Sequence, residues 1–238
     1  MKKLRIDKML GHLGYGTRKE IKQYAKQGMI AVNGEIVKNS SVKVDVEKDV
    51  VTFVGEEVHY REFVYILLNK PAGVISATED HVERTVIDLL DDELRHFEPF
   101  PVGRLDKDTV GFLLLTNDGQ LAHRLLTPKN DVPKTYFARI DEAVTAADVE
   151  AFKEGVTLDD GYETKPAKLE LTERPDEIFV TITEGKFHQV KRMFRAVEKE
   201  VVYLKRCSMG PLELDEHLRE GEYRELTEEE VEALQNYR

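Results

Sequence analysis

Apolar residues recur along this chain first with a helical and then with an extended period. Near the N-terminus Ile6, Met9, Leu10 and Leu13 return at the intervals of one helix face. Thr17 followed by Glu20 makes a capping box, so a second helix opens there and closes at Gly28. Met29–Val32, the dipeptide Asn33-Gly34 and Glu35–Val37 then predict a hairpin with a tight turn. Farther on, short apolar runs predict strands at 63–69, 111–116, 134–140, 167–173, 178–183 and 200–206. Helical patterns at 84–90, 119–126, 146–154, 188–198 and 228–235 fall between and after them. Asp118 can cap the helix 119–126, Pro128 lies just past its end, and Thr227 with Glu230 forms another capping box. The run Phe112–Leu115 has no polar member, so it reads as a short strand buried on both faces.

Strands interleaved irregularly with helices favour an α+β fold over a doubly wound parallel sheet. The polar stretch 55–62 reads as a link between a small N-terminal module, 1–60, and a larger domain, 61–238. At 238 residues the chain has ample core for both. No apolar run approaches the roughly 20 residues of a membrane span, and the polar N-terminus shows no signal peptide. A single cysteine, Cys207, cannot form an internal disulfide, which points to a reducing, cytoplasmic setting.

A formal charge of −11 argues against a nucleic-acid partner until its distribution is read. Residues 1–43 carry 10 Lys/Arg against 3 acids, and 186–206 carry 7 against 2. The segment 212–238 reverses this, with 10 acids against 3 bases. Local patches, not the sum, decide what such a surface attracts. On the second helix Arg18, Lys19, Lys22 and Lys26 fall within about a 100° arc, while Ile21 and Tyr24 face away.

The stretch Gly103–Gly119 carries the densest chemistry. It sets Asp106 between Arg104 and Lys107 on a turn that leads into the buried run. Both bases suit an anionic substrate, because each makes charge-assisted bonds to phosphate. The histidines show neither the helical pairing nor the cysteine company of a zinc site, and no phosphate-cradling or dinucleotide-binding glycine motif is present. Asp106-Lys107-Asp108-Thr109-Val110 does fit the Asp-x-Asp-x-Thr/Val pattern of haloacid-dehalogenase-like phosphotransferases, in which the first Asp is phosphorylated beside Mg²⁺. That chemistry needs a hydrophobic strand running into the first Asp. Here Pro99-Phe100-Pro101-Val102-Gly103-Arg104 precedes it, and Asp159-Asp160 sits in a glycine-containing turn where a second acidic cluster would be needed.

Two helices followed by the Val-Asn-Gly-Glu hairpin resemble the small RNA-binding domain named after ribosomal protein S4, over residues 3–55. The resemblance implies phosphate contacts from Arg5, Lys8, Arg18, Lys19 and Lys22. Gly103-Arg104-Leu105-Asp106 with Thr109-Val110-Gly111-Phe112-Leu113-Leu114-Leu115-Thr116-Asn117-Asp118-Gly119 resembles the pseudouridine synthases. Asn69-Lys70-Pro71-Ala72-Gly73, Lys134-Thr135-Tyr136 and Glu184–Phe194 extend that resemblance in family order. Within the family, the chain is similar to the small-subunit ribosomal RNA pseudouridine synthase A group, a likeness that Thr164-Lys165-Pro166-Ala167 and the C-terminal run Gly221–Glu230 favour.

The resemblance implies a mixed, largely antiparallel sheet crossed by a catalytic cleft. Uridine in ribosomal RNA, of the small subunit in preference to the large, would be isomerised there without cofactor or metal. Asp106 would act as nucleophile or base, on the sugar or on the ring. Tyr136 would stack on the target base, Lys191 would keep Asp106 ionised, with Arg192 as its substitute, and Leu204 would buttress the base. Arg104 would contact phosphate or enter the helix when the uridine leaves the stack. The implied partner is ribosomal RNA or a pre-ribosomal particle, met by a monomer with no membrane association. A non-catalytic ribosome-assembly protein of the same fold is the remaining alternative.

Overall fold

The structure, a computed structural model, describes residues 3–237 and divides into two compact units. One comprises the chain up to Val64 together with Asp91–Glu98; the other comprises Tyr65–Leu90 and the chain from Pro99 onward. No described helix is long and apolar enough to cross a membrane.

In the first unit, strand β1 (Lys3–Arg5) runs into helix α1 (Ile6–His12) and pairs antiparallel with β4 (Lys43–Asp45). The Thr17–Glu20 capping box forms and opens α2 (Arg18–Lys26). β2 (Ile30–Val32) and β3 (Glu35–Ile36) make the hairpin, with Asn33 and Gly34 at φ 51° and 84°. Those positive values are what an Asn-Gly turn supplies cheaply. β5 (Val51–Phe53) joins β2 and β6 (Glu56–Glu57), giving the order β3-β2-β5-β6. Ile6, Met9, Leu10, Ile21, Ala25, Ile30, Val44, Val51 and Val58 fill the core. The stretch 55–62 is therefore no free link: it contributes β6, and Val58 is buried with the core. Helix α3 (Asp92–Arg95) and the residues after it belong to this unit, where His96 Nε2 lies 3.0 Å from the Gly11 carbonyl oxygen.

The second unit holds a mixed, largely antiparallel sheet. Its strands are β7 (Tyr65–Lys70), β8 (Phe100–Pro101), β9 (Val110–Thr116), β10 (Lys134–Ile140), β11 (Lys168–Leu171), β12 (Glu177–Ile182), β13 (Val201–Met209), β14 (Leu212–Glu213) and β15 (Tyr223–Glu225). The order β11-β12-β10-β13-β9-β7-β15 is antiparallel throughout except at β13 and β9, which run parallel. Every residue of β9 is buried, as its unbroken apolar run requires. Helix α4 (Gly119–Leu126), capped by Asp118, places Leu121, Ala122 and Leu125 against Phe112, Leu114 and Leu67, with Leu234 of α7 (Glu228–Asn236) completing that layer. Elsewhere Phe152 of α5 (Ala146–Glu154) and Phe194 of α6 (Gln189–Ala196) are fully buried with ring centroids 4.8 Å apart.

The expected helix at 84–90 does not form. Residues Ile87–Leu89 make a short 3₁₀ turn instead. Asp88 Oδ2 accepts from the Thr85 N–H and hydroxyl, and Thr85 bridges Ile75, so side-chain bonds and a strand-like contact outbid the helical ladder.

Candidate active site

Asp106 sits on the loop between β8 and β9, in a turn closed by the Thr109 N–H donating to the Asp106 carbonyl at 3.1 Å. This loop is tied down from behind. Lys70, fully buried at the end of β7, donates through Nζ to the carbonyls of Pro71 at 3.0 Å, Lys107 at 3.3 Å and Thr109 at 2.9 Å. Burial pushes the Lys70 ammonium down to about 8, against the opposing pull of Asp108 and Asp106. Ser76 Oγ adds 3.0 Å bonds to both the N–H and the carbonyl of Leu105. The carboxylate thus stands on a braced backbone.

Gly111 explains how the loop meets the sheet. Its φ is 101°, and a Cβ there would lie 2.3 Å from the Arg206 carbonyl oxygen on β13. Only glycine allows β9 and β13 to approach so closely behind Asp106.

Helix α6 supplies the charge partner. Lys191 Nζ lies 3.1 Å from Asp106 Oδ2 and 2.6 Å from Asp108 Oδ1. Burial alone would lower this ammonium, but its bonds to Asp108 and Asp106 outweigh that and raise it. The same contact with Lys191 holds the Asp108 carboxyl below its usual range. Asp108 is therefore more than a neighbour of the site, because it shares the cation that faces Asp106. His188, at φ 49° just before the helix, brings Nε2 within 3.5 Å of Asp106 Oδ1. Buried Glu184 fixes the approach to α6 by accepting from Tyr162 Oη at 2.7 Å, the Lys165 N–H at 3.0 Å and Gln189 Nε2 at 2.7 Å. Arg192 is turned elsewhere and pairs with Asp159 and Asp160.

A cavity of about 260 Å³ opens beside Asp106. Period-2 alternation dictates part of its wall. On β10, Lys134 and Tyr136 face inward, and on neighbouring β13 so do Leu204 and Arg206. Tyr136 is 8% exposed and Leu204 6%, and both line the cavity with Arg104, which is exposed at its edge. The structure thus gathers Asp106, Arg104, Tyr136 and Leu204 around one space and sets Lys191 against Asp106 outside its lining. Lys134 and Arg206 are cavity residues that sequence reasoning did not single out. The signal was there: each lies two positions along a strand from a residue already placed at the site.

Arg18, Lys19 and Lys22 line a shallow groove of the N-terminal unit with Arg5, Lys26 and Lys38. Arg5 spends Nε and Nη2 on Asp7, at 3.0 and 2.6 Å. Lys8 is exposed but does not line the groove.

The chain matches known family models. A model of RNA pseudouridylate synthases matches residues 64–196, and a model of the S4 domain matches residues 4–51. The chain belongs to the RNA pseudouridylate synthase family. It is therefore an isomerase that acts on RNA, with an S4 domain at its N-terminus. It is 54% identical to an uncharacterized RNA pseudouridine synthase of Bacillus subtilis, across 97% of this chain and 98% of that one. It is 42% identical to ribosomal small subunit pseudouridine synthase A of Vibrio parahaemolyticus, across 98% and 100% of the two chains. A pseudouridylate synthase crystal structure, 40% identical, superposes with a TM-score of 0.69 over 97% of this chain and 99% of that one.

Proposed function

We propose that this synthase converts a specific uridine of small-subunit ribosomal RNA to pseudouridine in the cytoplasm, with Asp106 acting on a nucleotide flipped into the cavity. Relatives named ribosomal small subunit pseudouridine synthase A, 42% identical in Vibrio parahaemolyticus and 38% in Escherichia coli over nearly full length, support that substrate. The observation that carries the catalytic role is a contrast between carboxylates lining the cavity. Glu184 is buried and bound by three donors, whereas Asp106 is 24% exposed and ion-paired to Lys191. A reachable carboxylate set against a cation can act as nucleophile or base without a cofactor. Flipping supplies the access, since the reacting bond is hidden in a stacked duplex. Tyr136 offers a face for the extruded base, worth roughly 1–3 kcal/mol for a stacked contact. Arg104 meets the phosphate beside it, and Arg5, Lys8, Arg18, Lys19 and Lys22 hold more distant backbone.

Two measurements test this reading. Pseudouridine mapped in ribosomal RNA from cells with and without the protein should differ at a small-subunit site; a change confined to large-subunit RNA would reassign the substrate. Purified wild type should convert small-subunit RNA in vitro while Asp106→Asn does not, and equal conversion by both would remove Asp106 from the chemistry.

A further inference from the structure

Lys134 and Arg206 lie 9% and 3% exposed, yet among the described residues neither is ion-paired with a carboxylate. Lys134 Nζ donates to the Val132 carbonyl at 2.8 Å, and Arg206 Nε to the Phe112 carbonyl at 2.8 Å. Arg206 Nη2 is buried with no hydrogen-bond partner at all. Buried cations without a counter-charge are costly, and so is a buried donor left unmade. Burial and the nearby Arg206 push the Lys134 ammonium down to about 8, while the pulls of Asp131 and Glu184 only partly restore it. Glu184 keeps its charge in the same cavity but makes no contact pair with either cation, its oxygens being held by Tyr162 Oη, the Lys165 N–H and Gln189 Nε2. The cavity therefore holds two buried cations beside Tyr136 and Leu204 with no carboxylate in contact with either, and the single charge of Glu184 offsets them only in part.

We propose that Arg206 and Lys134 receive the carbonyl oxygens of the flipped uracil and stabilise the negative charge that the ring acquires during isomerisation. This rests on the reading that the target uridine occupies this cavity. When the bond from N1 to C1′ breaks, its electron pair stays with the base and spreads over N1, O2, O4 and C5. C5 then donates a pair to form the new bond to C1′, the C5 proton is lost and N1 gains one, so the composition is unchanged. Fixed donors aimed at charge that develops only in the transition state lower the barrier without tightening substrate binding. A backbone phosphate would satisfy the same cations. Its strand must run out to solvent, however, and exposed Arg104 and Lys186 and half-buried Lys165 are better placed to meet it.

The test compares Arg206→Gln, Arg206→Lys and Lys134→Met with wild type in single turnover, on one RNA carrying uridine or 5-fluorouridine at the target. Fluorine makes the base a better leaving group, so it needs less help. Each charge-removing variant should cleave the uridine bond on the order of 100-fold more slowly. The loss should be about tenfold smaller with 5-fluorouridine, RNA affinity should be unchanged, and Arg206→Lys should recover part of the rate. Equal losses on both substrates, or a loss confined to affinity as phosphate binding would give, overturns the proposal. Should the variants not fold, wild type alone decides: anionic barbiturate should compete for the cavity better than neutral uracil, and equal competition overturns the proposal. Failure here is separable from failure of the Asp106 reading, which would show as an active Asp106→Asn enzyme.

Discussion

Arg18, Lys19, Lys22 and Lys26 line a groove in open contact with water, whereas Lys134 and Arg206 lie at the bottom of a cavity with almost no solvent access. Both sets are cationic, but the physics differs. Exposed charges are cheap to maintain, individually weak and screened by salt. Buried charges cost stability in the free protein, shift their own titration and act only on what fits beside them. A groove of the first kind suits the uniform charge of an RNA backbone. A floor of the second kind suits charge that appears for one step of a reaction.

The sharpest way to break the comparison is at Asp106, a carboxylate that lines the same cavity as the buried cations. Asp106→Asn should lower single-turnover conversion on the order of 10⁴-fold, as loss of a central catalytic group does elsewhere. RNA affinity, measured by filter binding, should stay within about twofold because the groove is untouched. A parallel fall in both would show that the two regions do not divide binding from chemistry.

Gly111→Ala comes next, since its Cβ would press on the Arg206 backbone at φ 101°. It should destabilise the catalytic unit by about 3 kcal/mol or more, read as a lowered thermal midpoint. An unchanged midpoint would mean that β9 and β13 can part without cost.

A pH profile sharpens the contrast further. Lys134 titrates at about 8, facing Arg206, Asp131, Glu184 and Lys165, so its charge is present below that pH and disappears above it. The conversion rate should fall as pH rises through about 8. In Lys134→Arg the falling limb should move upward, because a guanidinium stays charged. Lys70 also titrates at about 8, so a limb that stays in place would trace to the loop brace rather than to the cavity floor. Groove charges, being exposed, should leave this profile alone.

The smallest effect belongs to the groove itself. Replacing Arg18, Lys19 and Lys22 with Ala should weaken RNA binding at low salt and reduce the salt slope by about one per lost phosphate contact. The rate at saturating RNA should hold. A loss of rate at saturation would give these side chains a part in the chemistry.

Local signals were readable without the fold. The boxes Thr17–Glu20 and Thr227–Glu230 and the cap at Asp118 formed because each needs only a few consecutive residues. β9 and β10 matched their apolar patterns closely, since long buried strands impose composition on every position or every second one. β8, β14 and β15 were not legible, because two or three residues cannot display a period. The helix expected at 84–90 failed where Asp88 found a better use for its side chain. At the site, Asp106 and Tyr136 stood out by motif, but the sharing of Lys191 between Asp106 and Asp108 depends on how α6 meets a loop more than 80 positions away.

The sequence by itself determined the longer elements, the polarity of their faces and the chemical types available, because backbone propensity, side-chain period and charge are local properties. Only the tertiary structure decided which cations lose their water. Lys134 and Arg206 look like ordinary basic residues in strands until the pairing of β10 with β13, which sets Arg206 opposite Tyr136, brings both into the lining of one cavity. Desolvation belongs to the packed neighbourhood, and it is desolvation that separates a charge merely carried from a charge poised to act.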